Sequence, residues 1–159
     1  MQRRTKASIK RFKYYCERLL GKNNYNYAGN LLAHAAKEFS ERPALITDQE
    51  TVSFEELFTR AVAVTIKLKS MDVQPGDRIC IAFENSIEFY MSYYGAWQVG
   101  AVVIPLNTFL HEKEIQHILD DAQPVVVIAS DQLAQKIQLI SNHLPPLITG
   151  TQLLGLARA

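Results

Sequence analysis

The sequence predicts an α/β fold, a mostly parallel sheet of βαβ units flanked by helices. Two observations carry this. Three short runs, Ile79-Cys80-Ile81-Ala82-Phe83, Val102-Val103-Ile104 and Val125-Val126-Val127-Ile128, are apolar at every position, the pattern of strands buried on both faces. Between the runs lie segments whose apolar residues recur at the helical period, which supply the cover such strands need and imply right-handed crossovers.

The elements follow in order. Residues 1–26 form a basic arm, predicted to be helical, and Gly21-Lys22-Asn23-Asn24 reads as a linker at its end. Tyr27, Leu31, Leu32, Ala35 and Phe39 then fall on one helical stripe. Ala44–Thr47 and Thr51-Val52 flank Asp48-Gln49-Glu50, the pattern of a small hairpin. Ser53 and Glu56 make a capping box, in which each side chain satisfies a free backbone donor at a helix start. Val52 and Leu57 are spaced for the accompanying hydrophobic staple. Phe54, Leu57, Phe58, Ala61, Val64 and Leu68 continue the stripe, and Lys67 and Lys69 suit the negative end of the helix dipole.

Gln74-Pro75-Gly76-Asp77 is a turn into the first apolar run. Asn85 is placed to cap a helix carrying Ile87, Tyr90, Met91, Tyr94 and Trp97, which Gly100 ends. After the second run, a helix around Ile115, Ile118 and Leu119 leads to the third. Another, through Leu133, Ile137 and Ile140, stops before Pro145-Pro146. The body is therefore residues 27–144. Residues 145–159 read as a truncated tail, in which Leu153, Leu154 and Leu156 look like core residues without partners.

With 159 residues, 48% of them hydrophobic and 21% charged, the chain can bury one core, and its composition excludes a disordered, collagenous or disulfide-stapled protein. The net charge of +1 gives no global pull toward nucleic acid. The charge is unevenly spread. Residues 1–22 hold eight Lys and Arg (Arg3, Arg4, Lys6, Lys10, Arg11, Lys13, Arg18, Lys22) against Glu17, whereas the remainder holds nine basic and fifteen acidic residues, a net −6. The two cysteines, Cys16 and Cys80, do not suggest a pair, and no signal peptide is recognisable, so a reducing, cytoplasmic compartment is expected. The apolar runs are too short to span a bilayer.

Four blocks resemble the adenylate-forming, AMP-binding enzymes, and within them the AMP-forming acyl-CoA synthetases. Thr51-Val52-Ser53-Phe54-Glu55-Glu56-Leu57 is similar to a T-[LYF]-S-[YF]-x-E-L stretch near the start of those enzymes. Val73-Gln74-Pro75-Gly76-Asp77-Arg78-Ile79 resembles V-x-P-G-D-R-V, and Asn85-Ser86-Ile87-Glu88-Phe89 resembles N-S-x-E-F. Val99-Gly100-Ala101-Val102-Val103-Ile104-Pro105-Leu106-Asn107 resembles x-G-A-V-x-x-P-L-N, an ending more like acyl- and aryl-CoA ligases than peptide-synthetase adenylation domains. One departure is visible: His111 stands before Glu114 where the family places Thr or Ser as a cap.

The resemblance implies a two-step reaction. A carboxylate, fatty acids among the candidates, attacks the α-phosphate of ATP to give an acyl-adenylate and pyrophosphate, and the CoA thiol then displaces AMP. Magnesium accompanies the ATP. The phosphates would be held by a loop rich in Ser, Thr and Gly followed by Lys, and no such loop occurs here. Gly150-Thr151-Gln152-Leu153-Leu154-Gly155 has phosphate-loop spacing, but Leu156-Ala157 stands where Lys and Ser or Thr are required. ATP, Mg and CoA are thus implied for a full-length parent enzyme and none for this chain. No catalytic, cofactor-binding or metal-ligating residue can be carried onto it.

The other candidates read as structural. His34, His111, His117 and His143 show no metal-ligand spacing. Glu55-Glu56 and Asp120-Asp121 are neighbours that point apart on a helix, and Ser53 and Ser86 are caps outside any nucleophile elbow. Phe89, Tyr90, Tyr93, Tyr94 and Trp97 are expected to pack the core, with an acyl-chain groove in the complete enzyme as the alternative. In the arm, Ile9, Phe12, Tyr15, Cys16, Leu19 and Leu20 share one helical face. Its readings are peripheral contact of residues 1–22 with an anionic membrane, docking on its own domain, a solvated terminus, or an Arg-rich, acid-poor mitochondrial presequence, against which its single serine counts. The expected function is the front part of an acyl-CoA synthetase-like ligase, inactive alone. The alternative is a stand-alone, non-catalytic interaction or membrane-associating domain that self-associates through an exposed sheet edge.

Overall fold

Four parallel strands form the central sheet: β3 (Arg78–Ala82), β4 (Val102–Pro105), β5 (Val126–Ala129) and β6 (Leu147–Thr149), in the order β4-β3-β5-β6. Ahead of it, β1 (Pro43–Ile46) and β2 (Thr51–Ser53) make an antiparallel hairpin. The computed structural model describes residues 28–140 and 144–158; the basic arm, Tyr27 and His143 lie outside the described residues.

Side chains of β3 and β5 alternate between two cores, as the two-residue period of a strand requires. Ile79, Ile81, Val126 and Ile128 enter one core, and Cys80, Ala82, Val127 and Ala129 the other. The first core is completed by α1 (Leu31–Glu38), α2 (Phe54–Ser70), α3 (Ile87–Gln98) and α6 (Gly150–Arg158), and the second by α4 (Glu112–Ala122) and α5 (Asp131–Ile140). Helices thus cover both faces of the sheet, as the apolar runs demand.

Local signals fix the helix starts. The Ser53 Oγ accepts the Glu56 N–H at 3.2 Å and the Glu56 carboxylate accepts the Ser53 N–H at 3.0 Å, completing the expected capping box of α2. At α4 the Glu114 carboxylate accepts the His111 N–H at 2.7 Å, so the half of the box that depends on Glu114 survives the His111 departure. Helices α2 and α3 pack closely because Gly95 brings their backbones together. A Cβ built there would lie 2.7 Å from Val64 Cβ and 2.9 Å from the Ala61 carbonyl oxygen. One turn along, the buried Thr65 hydroxyl lies 2.7 Å from Gln98 Oε1, a polar pin across the same crossing.

Four expectations are corrected. In α1 the buried residues are Leu32, Ala33 and Ala36, while Leu31 is 57% and Phe39 45% exposed. The 3-10 turn Ala28–Asn30 precedes α1, and its tighter winding shifts the phase of a stripe extrapolated from Tyr27. The cap of α3 is Ser86, whose Oγ accepts the Phe89 N–H at 3.2 Å, and Asn85 is exposed instead. The run Val102–Ile104 is not buried on both faces: β4 is an edge strand, and Val102 is 51% exposed. Leu153 does have partners. It is fully buried in the first core, because residues 147–149 add a strand to the sheet and α6 folds back over it.

The Gly95 contact leads to a paired prediction. Gly95→Ala should lower stability to urea by about 1–3 kcal/mol, the usual range for overpacking a tight core. Gly155→Ala, with nothing within 4 Å of its added Cβ, should raise it by roughly 0.5–1 kcal/mol through helix propensity. Equal effects at the two sites would contradict the close crossing.

Candidate functional site

The strand order places the crevice. From β3 the chain crosses one face to β4, then returns over the other face to β5 and on to β6, so the carboxyl ends of β3 and β5 part at a switch point. Open α/β sheets bind ligands there. A cleft of about 580 Å³ opens at this point, with Phe83, Glu84, Ser86, Ser130, Asp131 and Lys136 in its walls.

Four of its polar side chains hold the surrounding loops. Ser86 caps α3, and Ser130 Oγ accepts the Leu133 N–H at 3.3 Å at the start of α5. Lys136 Nζ donates to the Leu110 carbonyl at 2.8 Å, tying the loop after β4 to α5. The Asp131 carboxylate accepts the Thr151 hydroxyl at 2.7 Å and the Thr151 N–H at 3.2 Å, joining the starts of α5 and α6. These bonds, the Thr151 hydroxyl first, hold the Asp131 carboxyl below its ordinary range. It is a fixed anion, the wrong state for a general acid near neutral pH.

The same contact explains why the Gly150–Gly155 spacing makes no phosphate site. Gly150 opens α6 directly after β6, the placement of a phosphate loop, but the Thr151 amide there is taken up by Asp131. A phosphate would meet a carboxylate instead of free donors. The signal was present in the sequence: Thr149-Gly150-Thr151-Gln152 is itself a capping pattern, and Gln152 Oε1 accepts the Thr149 N–H at 3.0 Å.

The remaining sequence candidates are scattered. His34 lies on α1 and His117 on α4, while His111 precedes α4. Among the described residues no three His, Cys, Asp or Glu side chains gather as a metal site. Glu56 serves the α2 cap, and Glu55 accepts the Ser40 hydroxyl at 2.6 Å. Asp120 accepts the Gln116 amide at 2.7 Å. Burial pushes the Cys80 thiol up to about 11, which leaves it protonated and inert near neutral pH.

Phe89, Tyr90, Tyr93 and Tyr94 of α3 pack against the first core, as expected, from its margin. Ile87, Met91, Ser92, Gly95, Ala96 and Gln98 are the buried side of this helix. The 3.6-residue repeat gathers Phe89, Tyr90, Tyr93, Tyr94 and Trp97 on one stripe of the helix, where each is half-buried. Edge-to-face and tilted ring pairs link them, Phe89 with Tyr90 and Tyr93, and Trp97 with Tyr93 and Tyr94, at centroid distances of 4.7–6.0 Å. Burial, with the neighbouring Tyr90 and Tyr93, raises the Tyr94 hydroxyl above its ordinary range.

Against known proteins, the family model described as AMP-binding enzyme matches residues 32–153. The chain belongs to the AMP-binding enzyme family. It is 31% identical over 123 residues to luciferin 4-monooxygenase of Photinus pyralis, a match covering 74% of this chain and 22% of that protein. To a long-chain-fatty-acid–CoA ligase of Bacillus subtilis it is 29% identical over 107 residues, covering 67% of this chain and 19% of the ligase. The fold superposes on the Mycobacterium tuberculosis fatty acyl CoA synthetase with a TM-score of 0.74 at 27% identity, over 82% of this chain and 28% of that one. The chain thus spans about a fifth of the length of the curated relatives it matches. The resemblance drawn from the four sequence blocks and the α/β class both hold.

Protonation of Asp131 gives a testable consequence. Because its pKa is depressed in the folded state, its bond to Thr151 stabilises the junction above the unfolded pKa, and that stabilisation is lost as pH falls through the folded value, below the ordinary 3.8. Amide exchange in α6 should therefore speed up selectively on acidification into that range. Thr151→Val removes the hydroxyl bond and keeps the backbone one, so it should weaken this pH dependence while leaving exchange in β3 unchanged; an identical profile in the variant would contradict the assignment.

Proposed function

We propose that this chain is the front part of an acyl-CoA synthetase-type ligase. The complete enzyme would join a carboxylic acid to ATP as an acyl-adenylate, releasing pyrophosphate, and then pass the acyl group to the CoA thiol with release of AMP. The observation that carries this reading is the family match over residues 32–153, whose curated relatives include long-chain-fatty-acid–CoA ligases. Fatty acids are accordingly the first substrate class to examine. ATP with its magnesium and CoA are the cosubstrates in this reading, and the groups that hold them belong to parts of the parent that these 159 residues do not contain.

What this chain contributes is scaffold. At its switch-point cleft Ser86, Ser130 and Lys136 are engaged in caps and loop ties, and the Asp131 carboxylate occupies the helix start that a phosphate would need. A single buried cysteine among the described residues, protonated and unpaired, is compatible with a reducing, cytoplasmic setting. No helix among the described residues is long and apolar enough to cross a membrane.

A second reading, a non-catalytic interaction domain built on the same scaffold, is favoured by one observation: among the described residues β4 is an edge strand, with Val102 half exposed along it. Such an edge invites pairing with another strand. ATP–pyrophosphate exchange on the purified 159-residue chain, with fatty and aromatic acids in turn, tests the scaffold role. Exchange should stay at background with every acid. Carboxylate-dependent exchange above background would overturn the assignment of phosphate handling to other parts of the parent.

A further inference from the structure

The route of the chain ties each crossover to a direction along the sheet. From β3 it passes over the first core as α3 and joins on one side, as β4. From β4 and then from β5 it passes over the second core, as α4 and α5, and joins on the other side, as β5 and β6. Right-handed parallel crossovers behave in this way: one face carries the chain toward β4 and the opposite face toward β6. Helix α6 follows β6 on the first face, with Leu153 buried in the first core and Leu156 packed against it. A right-handed crossover continuing from α6 therefore moves back toward β4, past β5 and β3, each already paired on both edges. The first open position in that direction is the outer edge of β4.

We infer that the outer edge of β4 is a seam: the next parallel strand of the larger ligase, reached through α6, pairs there, which rests on this chain being the front part of such an enzyme. The backbone of β4 says what that strand meets. The Val102 N–H donates to the Asp77 carbonyl at 2.7 Å and the Leu106 N–H to the Ile81 carbonyl at 2.8 Å, so Val102, Ile104 and Leu106 face β3. Residues of a strand alternate between their two neighbours, which turns Val103 and Pro105 outward. Pro105 has no N–H to offer. The edge therefore presents the Val103 N–H with the carbonyls of Val103 and Pro105, and a parallel strand can engage all of these. A second copy of β4 fits less well. Antiparallel pairing about a two-fold axis at Val103 would set Pro105 opposite Ala101, whose N–H is already donated to the Ala96 carbonyl at 3.1 Å, and the Pro105 carbonyl would stay without a donor.

Hydrogen exchange of the β4 amides, resolved to single residues, tests this on unaltered protein. In the 159-residue chain at low concentration the Val103 amide should exchange fast beside a protected Ile104 amide. In the native ligase the Val103 amide should slow by about 100-fold or more and join the protection of Ile104. A Val103 amide as open in the ligase as in the isolated chain would overturn the seam and leave the front-part reading standing. Slowing that sets in as the concentration of the 159-residue chain rises would overturn it in favour of a second copy at this edge. A native species of 18.0 kDa would remove the front-part reading, and the seam with it.

Discussion

Everything in this molecule follows from the need to cover β3 and β5 on both faces. Neither strand has a polar side: Ile79 to Ala82 and Val126 to Ala129 are all buried. A strand of this kind is stable only with its backbone paired on both edges and helices above and below. The chain meets that demand by crossing one face on the way to β4 and the other on the way to β5 and β6. The cleft at the carboxyl ends is a geometric result of that route.

Most of the fold was legible because its signals are local. The capping box at Ser53 and Glu56, the turn before Arg78, and the alternation of apolar runs with helical stripes each depend on residues within a few positions. What was not legible depends on neighbours distant in sequence. The exposure of Val102 follows from strand order, which no run of three apolar residues encodes. The burial of Leu153 follows from β6 pairing with β5 some twenty residues earlier. The phase of α1 was lost because a 3-10 turn stands where helical spacing was extrapolated.

The site shows the same division. That Gly150–Gly155 is no phosphate loop was readable from the missing Lys, yet the reason its helix start is closed to phosphate lies in Asp131, which comes from another helix. The Thr65 to Gln98 contact and the two-pronged bond of Arg60 to Glu50, at 3.2 and 3.0 Å, were equally invisible as pairs. The family resemblance, by contrast, rests on blocks that double as fold signals: a cap, a turn, a helix start and an edge strand. Sequence features that persist for scaffold reasons identify a scaffold well and its chemistry only by association.

The account as a whole rests on this chain being the front of a larger ligase, and the native protein tests that most directly. An antibody against the helix at residues 54–70 would capture the native species from its source for intact mass measurement. The account predicts a polypeptide several times heavier than 18.0 kDa that supports carboxylate-dependent pyrophosphate exchange. A native species of 18.0 kDa would contradict it and leave the interaction domain as the reading to pursue.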